Sequence, residues 1–373
     1  GDFANGFNIM VFCDNAEQVY GIPNLRIMAN NYISDKPGNT SVRGPGEPEA
    51  TFLIETVLEH IACEVGKSTQ EVREVNIFTS LEDMEKVAAN PTSPDVDQYS
   101  ALMKVDEGNS CSGPLKGFPA LGIWTMLKKK VDYENMAADV EKFNAEHRWR
   151  KRGLAMTPVK YSVMIRAQQA TLCAYPDGTV LITTDATEIG QGLHTKVIQY
   201  ASYYLSQLVP GCEVPMKDIR IGPNGTDKVA VGSLTGGSTT SEGVCEAVRQ
   251  AIDRLAAVLK PHQDKMASAG KEITFKALLE AAKDGDELQF SGKCEKSFES
   301  YHIYGSAVSE VEIDVLTGES CILSTSMLYD CGKSLNPTID LGQCEGAFMM
   351  GVGYYLREKV ICDSGTGVMH TDG

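Results

Sequence analysis

The 373-residue chain lacks the patterns that mark several common classes of protein. Its 11 cysteines include no Cys-x-x-Cys pair, so nothing predicts a zinc or iron–sulfur site. No apolar run approaches the length of a membrane span, and we expect no signal peptide because the first residues carry neither a basic segment nor an apolar core. We interpret the odd, scattered cysteines as reduced, mostly buried thiols of an intracellular protein, and we expect a cytoplasmic location.

Positive charge and histidine are scarce, and an initiator methionine is absent. The chain has 34 Lys and Arg against 50 Asp and Glu, a net charge of −16, which argues against nucleic acid or an anionic membrane as a main partner. Its 6 histidines form no Ser/His/Asp or Cys/His pattern typical of nucleophilic catalysis. The chain is long enough for two or three domains with their own cores, and we expect it to be cut from a longer protein.

Turn and cap signals organise the first part of the chain. A polar stretch rich in Pro, Ser and Gly at residues 88–118 predicts a surface loop or linker. Before it, a helix is predicted from Pro48 to Gly66, and Ser68 to Glu71 forms a capping box for a short second helix. After it, an extended helical stretch is predicted for about residues 121–147. The basic cluster at 148–152 is interpreted as a solvated face, with contact to a neighbouring domain as the alternative.

Strands and helices follow one another in the second part. The turn Pro176-Asp177-Gly178 predicts a hairpin, and helices are predicted at about 193–208 and 242–259, with a last one from near Gly342. This combination predicts an α+β fold with mixed sheets and packed helices, rather than a doubly wound parallel sheet. A strand at 321–329 is preceded by an alternating strand at 307–315, whose inward residues are expected to be Val311, Ile313 and Val315, with Glu310, Glu312 and Asp314 in water.

Three glycine-rich turns at predicted helix starts are candidate anion sites. The first, Glu188 to Lys196, would present unpaired backbone N–H groups and the positive end of a helix dipole. The second, Thr235 to Ser241, adds several hydroxyl groups, and the third, 334–348, places Gln343 between two glycines one helical turn apart. Taken singly, a tight connection, a helix cap or close backbone packing stay open as alternatives. Three such turns in one chain favour a large anionic ligand.

Arg43 is a fourth candidate, because it precedes a rigid Gly/Pro loop that would fix its guanidinium toward a pocket. Pairing with a surface carboxylate is the alternative. We do not interpret Glu47, in the loop that follows, as catalytic, because an acidic residue at a helix start is expected from the helix dipole alone.

Five segments of the chain share the motifs of one family, in that family's order. They are Asn39-Thr-Ser-Val-Arg-Gly-Pro-Gly, Glu188-Ile-Gly-Gln-Gly-Leu-His-Thr-Lys, Thr235-Gly-Gly-Ser-Thr-Thr-Ser-Glu, Ser309-Glu-Val-Glu-Ile-Asp-Val-Leu-Thr-Gly and Tyr329-Asp-Cys-Gly-Lys-Ser-Leu-Asn-Pro-Thr-Ile-Asp-Leu-Gly-Gln-Cys-Glu-Gly-Ala-Phe. The set resembles the xanthine dehydrogenase/aldehyde oxidase family of molybdenum hydroxylases over nearly the whole chain. Thr-Thr-Ser-Glu, Tyr-Asp-Cys-Gly and Arg-Gly-Pro-Gly look closer to plant-type aldehyde oxidases than to the purine enzymes.

The resemblance implies that the chain is part of a molybdopterin-binding region. Residues 1–87 would be the C-terminal part of the first subdomain, 88–145 a linker with connecting helices, and 146–373 the second subdomain, truncated at its C-terminus. Arg43 would lie over the substrate pocket, and molybdenum would be held only through the molybdopterin, with no metal ligand from the protein. The implied cofactor-binding residues are Ile189, Gly190, Gln191, Thr235, Gly236, Gly237, Ser238, Thr240, Ser241 and Gln343.

The resemblance also implies an oxidoreductase that acts on a small molecule. In that family a molybdenum cofactor oxidises aldehydes or N-heterocycles with oxygen derived from water, a glutamate acts as general base, and electrons leave through 2Fe-2S clusters to FAD. The glutamate would lie beyond Gly373, and the clusters and the flavin in further domains. We therefore expect no catalytic residue in this chain, no activity from it alone, and a homodimer for the full-length protein.

Two departures from the family pattern keep alternatives open. The family has a Gly-Gly pair where this chain has Asp185-Ala186, and residues 160–169 are shortened where the family has an aromatic substrate clamp. A xanthine dehydrogenase is the alternative within the family. A non-catalytic relative that acts as a binding module is the alternative outside enzymes.

Overall fold

The computed structural model describes residues 2–22, 24–30, 32, 41–78, 119–208, 213–225, 227–229, 233–295 and 300–371. The chain divides into two compact units. Unit 1 comprises residues 1–162, 301–333 and 347–373, and unit 2 comprises 163–300 and 334–346. The predicted linker at 88–118 lies outside the described residues, and the predicted division at 87 and 145 stays a prediction.

Helices and strands mix along the chain, as an α+β fold requires. The helices are α1 (Asp2–Asp14), α2 (Glu47–Val65), α3 (Thr69–Asn76), α4 (Pro119–Val131), α5 (Tyr133–Glu146), α6 (Leu193–Leu208), α7 (Thr240–Ser268), α8 (Phe275–Ala282) and α9 (Pro337–Leu356). The strands are β1 (Arg150–Met164), β2 (Gln168–Ala174), β3 (Val180–Thr184), β4 (Ile219–Ile221), β5 (Gln289–Cys294), β6 (Ser300–Asp314) and β7 (Ser320–Asp330).

Local signals set the ends of the first helices as predicted. Gly66 ends α2 in the left-handed conformation, with φ of 64°. The capping box of α3 is formed, since the Glu71 N–H donates to Ser68 Oγ at 3.2 Å and the Ser68 N–H donates to Glu71 Oε2 at 2.9 Å. The helical stretch predicted for about residues 121–147 is confirmed as two helices, α4 and α5, which are separated at Asp132 with its φ of 55°. Aspartate enters this left-handed region more readily than most residues, which the apolar spacing does not reveal.

The core of unit 1 encloses a buried ion pair. Apolar residues of α2, α3, α4, β1 and β6 form the cluster, with Trp124 and Met156 fully buried. Inside it, Arg73 Nε lies 2.6 Å from Glu55 Oε2, and the Tyr20 hydroxyl donates to Glu55 Oε1 at 2.6 Å. The Glu55 carboxylate is thus held by a cation and a hydroxyl away from water, which makes loss of its cation alone costly.

In the three-stranded sheet of unit 1, in the order β1-β6-β7, the buried face of β6 is the opposite of the predicted one. Glu312 of β6 is only 4% exposed, whereas Val311 and Ile313 are 40% and 41% exposed and Val315 is 53% exposed. The prediction that the valines and isoleucine face inward and the carboxylates face water is therefore wrong at these positions. Alternation along a strand gives the period of two but not which face is covered.

The basic cluster at 148–152 explains why a carboxylate is buried there. Arg152 Nε and Nη1 lie 3.0 Å from Glu312 Oε2 and 3.1 Å from Glu310 Oε1, and Arg150 also pairs with Glu312. The Arg152 guanidinium lies 3.9 Å from the centre of the Phe143 ring. The interpretation of this cluster as a solvated face is wrong for Arg152, which is half-buried because β1 and β6 are neighbouring strands, whereas Arg150 is exposed.

Unit 2 is a four-stranded mixed sheet, in the order β4-β3-β2-β5, with helices packed against it. The predicted hairpin is confirmed, since β2 pairs antiparallel with β3 from Ala174–Val180 to Ala170–Thr184, while β3 and β4 are parallel. Helix α7 is longer than predicted and continues past Pro261. Its buried residues recur at helical spacing and meet the sheet and α6; they include Val244, Val248, Ala251, Ile252, Leu255 and Leu259.

The described cysteines do not match one expectation. Of the nine, which form no disulfide with one another, Cys294 is buried, whereas Cys63, Cys321 and Cys331 are exposed. The prediction that the thiols are mostly buried is therefore wrong for this part of the chain, because residues such as Cys63 and Cys321 lie on solvent faces of α2 and β7. No helix within the described ranges is both long and apolar enough to cross a bilayer.

Candidate functional site

The three predicted turns come together within unit 2. The Thr187 N–H donates to Thr235 Oγ1 at 2.9 Å, which joins the first turn to the second. Gly192, with φ of 78°, joins the first turn to the third, because a methyl group built on it would lie 2.7 Å from Ile339 Cδ1. Only glycine fits at this contact without displacing α9. Folding thus brings together three turns that are far apart in the sequence.

The first turn contains a carboxylate that binds the turn's own backbone N–H groups. The Glu188 carboxylate accepts from the Gly190 and Gly192 N–H groups at 2.8 and 3.1 Å through Oε1, and from the His194 N–H at 2.9 Å through Oε2. Burial opposes ionisation of Glu188, but these three donors outweigh it and hold the pKa of the carboxyl below its ordinary value. The expectation of unpaired N–H groups is wrong for these three residues, because an internal carboxylate caps α6.

The side chain of Gln191 stabilises the same turn through hydrogen bonds to the turn's backbone. Its Oε1 accepts from the Ile189 N–H at 2.7 Å, and its Nε2 donates to the Thr187 carbonyl at 3.0 Å. The side chain is half-buried, while Ile189 and Gly190 are exposed. The turn therefore presents a fixed amide and an open backbone face rather than an empty anion cradle.

The second turn is built differently and lacks such a cap. Gly237 and Ser238 take φ values of 71° and 60°, and the Gly236 N–H donates to Thr240 Oγ1 at 3.2 Å. Thr239 stands at the N-cap of α7 without a side-chain hydrogen bond to the helix. Its Oγ1 is buried without a partner in the described part of the chain, although Thr239 is only 1% exposed. The N-terminus of α7 thus retains donor groups that an anion can satisfy.

Arg166 lies against this turn and was not among the predicted residues. A methyl group built on Gly237 would lie 3.3 Å from Arg166 Nε and 3.5 Å from Nη2. Arg166 precedes β2, and β2 packs against α7, which is why the guanidinium reaches the start of that helix. No local sequence signal marks it, because the approach depends on the packing of two segments that are far apart in the chain.

The third turn places Gln343 on the first part of α9, half-buried. Helix α9 begins at Pro337 rather than near Gly342, because Asn336 Oδ1 accepts from the Ile339 N–H at 3.2 Å and caps it. A methyl group built on Gly342 would meet nothing within 4 Å in the described chain, so the close-packing alternative does not hold at this glycine.

Arg43 belongs to unit 1, whereas the other candidate residues belong to unit 2. It takes an unusual φ of 32°, and its Nη1 donates to Met350 Sδ at 3.4 Å. The loop is fixed at Gly46, where a methyl group would lie 2.5 Å from the Asn8 carbonyl oxygen. Burial raises the pKa of the neighbouring Glu47 carboxyl to about 7, and the charge of Glu49 adds to the rise. The contact of Gly46 with Asn8 packs the end of the loop against α1, while Arg43 itself is exposed, and its place over a substrate pocket stays a prediction.

The pair Asp185-Ala186, where the family has two glycines, is built into the end of β3. The Asp185 N–H donates to the Gln169 carbonyl at 3.2 Å, and the Ala186 carbonyl accepts from Asn224 Nδ2 at 2.6 Å. Ala186 is fully buried in the core of unit 2. The methyl group of Ala186 is therefore accommodated in that core. Among the described residues, no group of three or more His, Cys, Asp or Glu side chains is placed to hold a metal ion.

Comparison with known proteins gives the same assignment over both ends of the chain. Two molybdopterin cofactor-binding domain families match residues 4–77 and 126–373. A probable aldehyde oxidase 2 of Oryza sativa subsp. japonica is 36% identical over 336 residues, which is 90% of this chain and 23% of that protein. An indole-3-acetaldehyde oxidase of Arabidopsis thaliana is 33% identical over 354 residues, or 94% of this chain and 24% of that protein. The chain spans about a quarter of the length of these relatives.

Solved structures share the fold at lower identity. A quinoline 2-oxidoreductase from Pseudomonas putida superimposes with a TM-score of 0.70 and 19% identity, over 97% of this chain and 47% of that one. An aldehyde oxidoreductase from Desulfovibrio desulfuricans gives a TM-score of 0.66 and 22% identity, over 93% of this chain and 36% of that one. The predicted α+β fold is confirmed by these similarities.

Proposed function

Because the chain belongs to the xanthine dehydrogenase/aldehyde oxidase family as part of its molybdopterin-binding region, we propose that it helps to form the cofactor site of an aldehyde-oxidising molybdenum hydroxylase. The observation that carries the proposal is the meeting of the three turns in unit 2, through the Thr187–Thr235 and Gly192–Ile339 contacts. A phosphorylated pterin is a large anion with several polar edges, and three adjoining turns suit such a ligand.

The donor set fits that cofactor. The start of α7 has two left-handed residues, several hydroxyl groups and no side-chain cap, which suits the phosphate end. Gln191 and Gln343 carry amides that both donate and accept, which suits the ring system of a pterin. The proposed cofactor-binding residues are those of the sequence analysis: Ile189, Gly190, Gln191, Thr235, Gly236, Gly237, Ser238, Thr240, Ser241 and Gln343.

The residues of this chain would bind and orient rather than transfer protons. When bound, a molybdenum–molybdopterin group supplies two-electron oxidation of the substrate with oxygen from water. Arg43, fixed by its loop, would orient a polar or anionic substrate through its guanidinium. Glu188 would keep the backbone around Gln191 in one conformation, so that the amide is positioned before any ligand arrives.

The rest of the enzyme belongs to the same proposal. We place FAD, the 2Fe-2S clusters and the general-base glutamate in other parts of the full-length protein, which would be a cytoplasmic homodimer and would act on a small molecule, with neither nucleic acid nor a membrane as a partner. The named relatives favour aldehydes over purines, since the probable aldehyde oxidase and the indole-3-acetaldehyde oxidase carry aldehydes in their names. A xanthine dehydrogenase and a non-catalytic relative are the alternatives that the test below excludes.

The proposal is tested on the full-length protein expressed with a molybdenum cofactor supply. We expect bound molybdenum and pterin, and oxidation of aldehydes in preference to purines. Gln191→Ala is expected to lower the pterin content, whereas Gln207→Ala, at an exposed position of α6, is expected to leave it unchanged. A protein without molybdenum supports the non-catalytic relative, and a normal pterin content in Gln191→Ala means that the site is misplaced.

A further inference from the structure

The guanidinium of Arg166 is an unpaired positive charge beside the second turn. Arg166 is half-buried and forms neither an ion pair nor a hydrogen bond with any described residue. It occupies the space that a side chain on Gly237 would fill, 3.3 Å from the position of the missing methyl group. A guanidinium held in this way has five N–H donors that need acceptors.

One further polar atom near the same turn lacks a hydrogen-bond partner. Thr239 Oγ1, at the N-cap of α7, is buried without a partner within the described ranges. Buried polar atoms without partners are rare in folded proteins, and a hydroxyl group at this position can donate to an oxyanion.

Capping distinguishes this helix start from the neighbouring one. The Glu188 carboxylate accepts backbone N–H groups at the start of α6. The first turn of α7 carries Glu242, but its N-cap residue Thr239 makes no side-chain hydrogen bond to the helix, and the Arg166 guanidinium lies beside the turn. A helix N-terminus and a guanidinium both favour an oxyanion, and the planar guanidinium matches two oxygens of a phosphate.

We propose that Arg166 binds the phosphate group of the pterin cofactor at the N-terminus of α7. The inference rests on the proposed function, because it names the residue that neutralises the charged end of the same ligand. Arg166 touches the cofactor rather than the reacting atoms, so it is a binding residue. Its loss weakens retention of the pterin without altering the chemistry at the molybdenum.

The experiment measures how fast the purified full-length holoprotein loses its pterin. Released pterin is oxidised to a fluorescent product and followed during dialysis at low and at high salt. The variants are Arg166→Gln, which removes the charge, and Arg166→Lys, which keeps it without the planar fork. Arg220→Gln is the matched control, because Arg220 is an exposed arginine of the same unit. Thermal unfolding of each pterin-free protein measures folding separately.

We expect Arg166→Gln to lose pterin roughly 10- to 100-fold faster than the parent protein at low salt, in line with the loss of charge-assisted hydrogen bonds. The difference is expected to shrink at high salt, since a screened charge contributes less. Arg166→Lys is expected to be intermediate, and Arg220→Gln unchanged.

Equal loss from Arg166→Gln and the parent overturns the inference while the proposed function stands. Equally faster loss of pterin in Arg166→Gln and Arg220→Gln also overturns the inference. So does faster loss in Arg166→Gln that does not depend on salt. Faster loss with a matching fall in the unfolding temperature of the pterin-free protein overturns it as well. A parent protein without any pterin overturns the proposed function, and the inference with it.

Discussion

Replacing Glu188 with glutamine is expected to destabilise the start of α6. The carboxylate accepts three backbone N–H groups, two through Oε1 and one through Oε2. Glutamine retains one oxygen, and its amide nitrogen then faces at least one N–H group that has lost its acceptor. The negative charge that favours the helix N-terminus is lost as well.

The size of the effect follows from helix capping. Removal of a capping side chain costs about 0.5–2 kcal/mol, and a charge at a helix N-terminus contributes about 0.3–1 kcal/mol at the surface. Water reaches the half-exposed Glu188 and replaces part of the lost bonds. We therefore expect Glu188→Gln to lower the free energy of unfolding by about 1–2 kcal/mol at pH 7.

The pH dependence has a definite sign. Because the folded pKa of Glu188 lies below its ordinary value of 4.5, the carboxylate stabilises the folded state above that pH. The stabilisation is lost as the pH falls through the lowered pKa, so the difference between Glu188→Gln and the parent is expected to shrink on acidification. Thermal unfolding followed by circular dichroism between pH 3 and pH 7 measures it, with the exposed Glu272→Gln as control. Equal losses in the two variants at pH 7, or an equal loss at both ends of the pH range, would refute the capping role.

Two further predictions concern unit 1. Arg73→Met is expected to cost about 3–5 kcal/mol in urea unfolding, because it leaves the Glu55 carboxylate buried without its cation, and adding Glu55→Met is expected to recover most of the loss. A loss below about 1 kcal/mol in the single variant contradicts this account. Glu47→Gln is expected to raise the unfolding temperature relative to the parent at pH 8 and not near pH 4, because a carboxyl with a pKa raised to about 7 loses its stabilising proton as the pH rises from about 4.5 through about 7. A shift that is the same at both pH values contradicts it.

Elements with strong local signals were predictable from the sequence. The capping box at Ser68, the left-handed glycine at Gly66 and the hairpin around Gly178 each depend on a few adjacent residues, and all three are present. The break at Asp132 also arises from local backbone conformation, but several residue types satisfy it, so no residue pattern marks it. The face of β6 depends on which strand lies beside it, and the burial of Glu312 follows from arginines more than a hundred residues away.

Some features of the candidate site were also predictable from the sequence, and others were not. The three turns were predictable as segments, because glycine before a helix is a local feature. Their contacts with one another, the capping role of Glu188 and the position of Arg166 were not predictable, since each depends on where a side chain points in the folded unit. Which of the residues touch the cofactor stays a prediction.

The internal carboxylate of Glu188 has a consequence for the order of assembly. A helix start that depends on a bound ligand stays frayed until the ligand arrives, and its neighbours then fold late. Helix α6 carries a substitute for the ligand in its own sequence, so its first turn closes in the empty protein. The N-cap residue of α7 makes no side-chain hydrogen bond to its helix. We therefore expect the first turn of α6 to form without a ligand, and the start of α7 to become fully ordered only when an anion binds to it.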